Sequence, residues 1–222
     1  MEQFTDRQQA GQLLAQKLKK YLAEPNLMAL ALPRGGVPVA FEIASALAIP
    51  LEVFVVRKLG VPGHKEFAMG AIATGEIILL NQQITDSLQL TEKDIEQVIE
   101  EEKKELIRRE ALYRVPNHHF LAVKDKTLLL IDDGIATGST MKAAILALRQ
   151  NSPAKIIVVA PVGALDSVHE LTKLADEVVC PLTSSNFTAV GVYYTNFAQT
   201  SDEEVCTLLK KQHEALMQRE IK

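Results

Sequence analysis

The stretch Leu128-Leu129-Leu130-Ile131-Asp132-Asp133-Gly134-Ile135-Ala136-Thr137-Gly138-Ser139-Thr140 constrains this chain more than any other. Four consecutive apolar residues read as a buried strand that delivers two adjacent carboxylates to its C-terminal end, where open α/β sheets bind their ligands. Two neighbouring acids are costly together unless a cation or sugar hydroxyls engage them. The Thr137-Gly138-Ser139-Thr140 turn then opens a helix, so that hydroxyls, backbone N–H groups and the helix N-terminus converge as an anion cradle. Acids for a polyol beside a cradle for a phosphate describe a site for a ribose 5-phosphate.

The remainder of the chain supplies the sheet that such a strand needs. Met28 to Leu32, Leu51 to Val56, Ile77 to Leu80, Thr127 to Ile131, Ile156 to Ala160 and Glu177 to Cys180 read as strands. Helical patterns lie between them at about Gly36 to Ala48, Thr91 to Arg114, Ser139 to Gln150 and Leu165 to Ala175, the alternation of a parallel sheet covered by helices. Thr91 with Asp94, and Ser201 with Glu204, resemble capping boxes that start helices. At 222 residues, 47% of them hydrophobic, one α/β domain with an appendage can bury a sizeable core.

Charge and cysteine usage exclude several classes. With 24 Lys and Arg against 28 Asp and Glu, the net charge of −4 argues against a protein that grips nucleic acid, while a small phosphorylated ligand needs only a local positive site. Cys180 and Cys206 are too few for a disulfide framework or a four-ligand zinc site, which makes a reducing cytoplasm the expected setting. The N-terminus lacks a basic region leading into an apolar run, and no run approaches the roughly 18 apolar residues of a membrane span.

Three stretches fit neither plain strand nor helix. Leu59 to Gly75 carries four glycines and Pro62, and its length marks it as a functional or poorly ordered loop containing His64, Lys65 and Glu66. Pro181 to Thr200 is rich in Ser, Thr, Asn and aromatics, of which Phe187, Tyr193 and Tyr194 are suited to stacking a flat base or to packing a small core. Pro33-Arg34-Gly35-Gly36 is a tight strand-to-helix turn whose glycines admit an anion to the backbone and whose Arg34 adds charge. Arg57 and Lys58 end an apolar strand at its ligand edge, where alternation points them to opposite faces. The charge run Glu100 to Glu105 reads as a solvated helix face laced with i,i+4 pairs. A Walker A loop is excluded because no Lys follows Gly138, and neither the Gly134 nor the Gly60 region spaces its glycines as a dinucleotide fingerprint requires.

Leu128 to Thr140 resembles the 13-residue phosphoribosyl pyrophosphate signature of the type I phosphoribosyltransferase family, and the resemblance extends from about Leu27 to Gln199. Leu32-Pro33-Arg34-Gly35-Gly36 is similar to the family's pyrophosphate loop, Val56-Arg57-Lys58 to the basic end of its second strand before a mobile loop, and Phe187 to Tyr194 to its C-terminal hood segment. The resemblance implies a single α/β domain, a parallel sheet flanked by helices: a core at about 27–180, a small C-terminal hood at about 181–200 joined by N-terminal residues, and a helix at about 201–219. It implies transfer of the 5-phosphoribosyl group from phosphoribosyl pyrophosphate to a nitrogen nucleophile, with Asp132 and Asp133 on the ribose hydroxyls and on Mg²⁺, in part through water. Ala136, Thr137, Gly138, Ser139 and Thr140 would hold the 5-phosphate; Arg34, Gly35, Gly36, Arg57, Lys58 and Lys65 would serve the pyrophosphate; Phe187 and Tyr193 would meet the acceptor. A cis non-proline peptide is expected at Arg34–Gly35, and a homodimer is implied.

A phosphoribosyl pyrophosphate-binding regulator with little turnover is the alternative, and a sugar-phosphate hydrolase a weaker one, since no nucleophile or metal cluster accompanies the Asp pair. Thr183, Ser184, Ser185 and Asn186 offer only hydroxyls and an amide before the hood, so a standard purine acceptor is disfavoured.

Overall fold

In the computed structural model, residues 3–113 and 122–220 are described. Chain order runs α1 (Arg7–Leu18), β1 (Leu27–Ala31), α2 (Gly36–Leu47), β2 (Leu51–Val53), β3 (Val56–Val61), β4 (His64–Ala73), β5 (Ile77–Leu80), α3 (Gln82–Ser87), α4 (Glu92–Tyr113) and β6 (Thr127–Ile131). It continues through α5 (Ser139–Arg149), β7 (Lys155–Val159), β8 (Val162–Ala164), α6 (Leu165–Leu171), β9 (Glu177–Val179), β10 (Leu182–Ser184) and α7 (Asp202–Glu220).

The central sheet is parallel, in the order β2-β1-β6-β7-β9. Its three central strands are apolar apart from Thr127 and Lys155 at the starts of β6 and β7, because helices cover both faces. Ala29, Ala31, Leu129, Ile131, Ile157 and Val159 pack in one core with residues of α1, α2, α4 and α7. Met28, Leu30, Leu128, Leu130, Ile156 and Val158 pack in the other with α5 and α6. Strand alternation divides the two sets, and each fully buried Leu or Ile contributes about 1.5–3 kcal/mol. The expected fold class, a parallel sheet flanked by helices, is therefore what the chain adopts. Pairing of Ala31 with Ile131 sets the C-terminal ends of β1 and β6 side by side, so the turns that follow them meet.

Two expectations need correction. Leu59 to Gly75 is not a loop: β3 and β4 form an antiparallel hairpin, closed at Pro62-Gly63 with Gly63 at φ +78°, the arrangement of a type II turn. Val56, Leu59, Met69 and Ile72 give that hairpin apolar sides that pack on the domain, and a bulge between Leu59 and Gly60 absorbs the irregular spacing. Ile77 to Leu80 is the third strand of this small antiparallel sheet, not a member of the parallel one. Leu51 to Val56 likewise divides, with β2 ending at Val53 and β3 starting in the other sheet at Val56.

Helix starts follow their caps. Thr91 and Asp94 bond reciprocally, Thr91 N–H donating to Asp94 Oδ2 at 3.1 Å and Asp94 N–H to Thr91 Oγ1 at 3.2 Å. Glu204 N–H donates to Ser201 Oγ at 3.1 Å. The helix expected to reach Arg114 is described to Tyr113, and Arg114 itself lies outside the described residues. In the charge run, Glu105 does pair with Arg108 and Arg109, but Glu102 and Lys103 reach across to Arg57 and Glu76. Those two positions face the small antiparallel sheet, at β3 and at the β4–β5 turn, which helical periodicity alone does not reveal.

The hood is a third, small core. Val162, Tyr193 and Tyr194 pack there with Ala10 of α1, Phe4, Leu182, Phe187 and Val190. Phe4 bonds along the C-terminal segment, its N–H donating to Tyr193 O at 2.9 Å and its carbonyl accepting from Thr195 N–H at 2.8 Å. N-terminal residues thus join the hood. Among the described residues no helix is long and apolar enough to cross a membrane.

Candidate functional site

Asp132 and Asp133 leave β6 at its C-terminal end. Asp132 N–H donates to Val159 O at 3.1 Å, continuing the sheet, and Asp132 Oδ1 accepts the Asp133 N–H at 2.8 Å. Beyond them, Ile135 is tied to β8 by bonds with Val162 O and Ala164 N–H, and Ser167 Oγ of α6 donates to Ala136 O at 2.7 Å. Gly138 takes φ +70° to turn the chain into α5. The result is a polar cavity of about 150 Å³ lined by Asp132 and by Ala136, Thr137, Gly138, Ser139 and Thr140. The N-terminus of the 11-residue α5 opens into it, contributing backbone donors and a partial positive charge.

The turn after β1 closes against the same acids. A Cβ on Gly35 would lie 2.0 Å from Asp133 Oδ2, and one on Gly36 would lie 2.6 Å from Ile131 O and 3.0 Å from Asp132 Cα. Only glycine lets the two turns touch. The cis peptide falls at Pro33–Arg34, one bond before the expected Arg34–Gly35.

Burial raises both carboxyls above the ordinary range. For Asp132 the causes are desolvation first and the charge of Asp133 second. Asp133 is raised by desolvation and pulled back by Arg7. Arg7 is a site residue that the sequence reading missed. Its Nε donates to Asp133 Oδ2 at 2.8 Å, its Nη1 donates to Ala198 O at 2.7 Å, and its guanidinium lies 3.9 Å over the Phe197 ring. Tyr194 adds a hydroxyl bond to Asp133 O at 2.6 Å. Asp6 followed by Gln9 marks the start of α1, with Asp6 accepting the Gln9 N–H at 2.8 Å, but nothing in the sequence links Arg7 to an acid on β6.

The remaining expected residues lie elsewhere. Arg34 Nη1 sits 3.5 Å from Asp202 Oδ1. Arg57 is paired with Glu102, and Arg57 and Lys58, adjacent in regular register on β3, both contribute to the wall of a separate cavity of about 270 Å³. Lys65 lies near the hairpin tip on β4. Tyr193 is 3% exposed and stacked on Phe187 at 5.2 Å between centroids, so the assignment of Tyr193 to an acceptor face is corrected: its ring belongs to the hood core, and Phe187 covers it.

The unlike surroundings of the two acids make a pH-dependent prediction. A carboxyl whose folded pKa is raised gives stability that is complete below its unfolded pKa of about 3.9 and is lost as pH rises through the folded value. At neutral pH Asp132 therefore costs stability. Asp132→Asn should raise Tm at pH 7 by about 2–4 °C, on the order of 1 kcal/mol, with the gain vanishing toward pH 4. Thermal denaturation at both pH values checks it; an equal gain at pH 4 would mean that charge is not the cause.

Comparison with known proteins fits this geometry. A Thermus thermophilus protein of known crystal structure, TT1426, superposes with a TM-score of 0.82 at 37% identity, covering 96% of this chain and 99% of its own. The phosphoribosyl transferase domain profile matches residues 1–196. The chain belongs to the phosphoribosyl transferase domain family. Two Mycobacterium tuberculosis proteins, from strains CDC 1551 / Oshkosh and ATCC 25618 / H37Rv and provisionally named phosphoribosyl transferases, are 42% identical to it over 213 residues. That span is 96% of this phosphoribosyl transferase domain chain and 48% of the relatives, so the chain covers about half the length of the curated relatives it matches.

Proposed function

We propose that this chain transfers the 5-phosphoribosyl group of phosphoribosyl pyrophosphate to a nitrogen of a small, nucleobase-like acceptor outside the common purines. One C–N bond forms at the anomeric carbon, the bond to the pyrophosphate oxygen breaks, and the acceptor nitrogen gives up its proton. The observation that carries this reading is a single cavity lined both by Asp132 and by the Thr137–Thr140 cradle at a helix N-terminus.

In this scheme the cradle holds the 5-phosphate, and Asp132 and Asp133 accept from the ribose hydroxyls. Both acids then stabilise positive charge that develops on the ring as the leaving bond stretches. Arg7 favours the charged form of Asp133 and orients it. The Gly35-Gly36 backbone admits pyrophosphate close to the acids, with Arg34 at its edge and Arg57, Lys58 and Lys65 on the hairpin. No group of three or more His, Cys, Asp or Glu side chains stands ready for a metal among the described residues. That fits Mg²⁺ held mainly by donor phosphates with Asp132, and with Asp133 through water. It would supply charge neutralisation on the departing pyrophosphate. A homodimer in a reducing cytoplasm accompanies this proposal, in keeping with two free thiols at Cys180 and Cys206.

Thr183, Ser184, Ser185 and Asn186 carry no charge, and Ser184 Oγ is already engaged by the Asn186 N–H at 3.2 Å. A hood so furnished has no charged partner for a purine edge, and stacking alone discriminates poorly. Pyrophosphate release should be measured with donor, Mg²⁺ and a panel of nucleobases and related heterocycles. Adenine, guanine and hypoxanthine should each give kcat/KM below roughly 10⁴ M⁻¹s⁻¹, the low end of the ordinary enzyme range, and a non-purine should exceed them. A higher value with any of the three overturns the hood assignment. Donor binding without release for any acceptor would instead favour a phosphoribosyl pyrophosphate-binding regulator.

A further inference from the structure

Both arginines assigned above to pyrophosphate are held by carboxylates that line no part of the Asp132 cavity. Arg57 donates to Glu102 Oε2 from Nε at 2.8 Å and from Nη2 at 2.7 Å. Arg34 faces Asp202, whose Oδ1 also accepts the Tyr113 hydroxyl. Glu102 and Tyr113 both belong to α4, three turns apart on the stripe that buries Leu106. One helix therefore contacts both cations, directly at Arg57 and through Asp202 at Arg34.

The Arg57–Glu102 pair is open to exchange. Its side chains are 29% and 26% exposed, so water reaches both groups and screens part of the attraction. A diphosphate brings more charge and several acceptor oxygens to the same guanidinium fork, in the geometry that Arg binds best. Space adjoins the pair: the cavity of about 270 Å³ has Arg57, Lys58 and the Gly60 backbone on its wall, with Glu101 and Glu102 opposite on α4. We propose that Glu102 is a placeholder for the pyrophosphate end of the donor, a positioning residue that occupies Arg57 until the diphosphate displaces it. Once displaced, its negative charge stays beside the ligand, weakening donor binding and hastening release of pyrophosphate. This inference rests on the function proposed above.

The test is titration calorimetry of the full chain with inorganic pyrophosphate and with phosphoribosyl pyrophosphate, at fixed salt and Mg²⁺. Glu102→Gln should bind both about two- to five-fold more tightly, the range a partly exposed ion pair can withhold. Its donor KM should fall with kcat no higher than in the wild type, and Tm should stay within a few degrees. Glu96→Gln removes the same charge from an exposed position of α4 and should leave both affinities unchanged. A Glu102 that merely braces Arg57 toward the ligand predicts the opposite sign. Wild-type binding with Glu102→Gln unchanged or weaker, or equal tightening in Glu96→Gln, overturns the placeholder alone. Failure of the wild type to bind either ligand overturns the proposed function and the placeholder with it.

Discussion

Replacing Arg7 by Met should cost about 3 kcal/mol of stability, lowering Tm by roughly 6–12 °C in a domain of this size. The partners Arg7 and Asp133 retain only 12% and 14% side-chain exposure, so removing the cation leaves Asp133 buried without its counter-charge. The hood suffers too, because Arg7 also ties Ala198 O and covers Phe197. Asp133→Asn should be destabilising for the mirror reason, an Arg left without its acid. The double variant Arg7→Met with Asp133→Asn should lose less than the sum of the two, since neither change then strands a charge. Thermal denaturation of the four proteins gives the coupling directly, and additive losses would mean that the pair does not hold the hood to the sheet.

The two acids thus part company, although they are neighbours in sequence. Asp133→Asn is expected to weaken the fold and Asp132→Asn to strengthen it, a difference set by one arginine 126 positions away. That distance explains why the pair was illegible beforehand: local pattern identifies a helix start at Asp6 but carries no information on which strand end the helix meets. What could be read was local. The buried strand Thr127–Ile131, the turn at Gly138 and the helix from Ser139 follow from hydrophobic run, glycine and hydroxyls in order, and they lie where the sequence puts them. Four glycines and a proline suggest a loop over Leu59 to Gly75, whereas Val61-Pro62-Gly63-His64, flanked by apolar residues, is the turn signal that marks the hairpin. Tyr193 and Phe187 illustrate a different limit. Aromatics in a Ser- and Thr-rich stretch suit a ligand or a small core equally, and only the approach of Ala10 and Val162 decides for the core at Tyr193.

The contrast between the acids also isolates function from folding. If Asp132 serves the ribose hydroxyls, its charge is kept against its own contribution to stability, and neutralising it removes charge-assisted bonds of roughly 1.5–3 kcal/mol each. Titration calorimetry of phosphoribosyl pyrophosphate with Mg²⁺ at pH 7 into the wild type and Asp132→Asn measures this most directly. The account predicts binding by the wild type and at least about a 30-fold loss in the variant, while the variant melts at or above the wild-type temperature. Absence of wild-type binding, or a variant that binds within about 3-fold of the wild type, would contradict it.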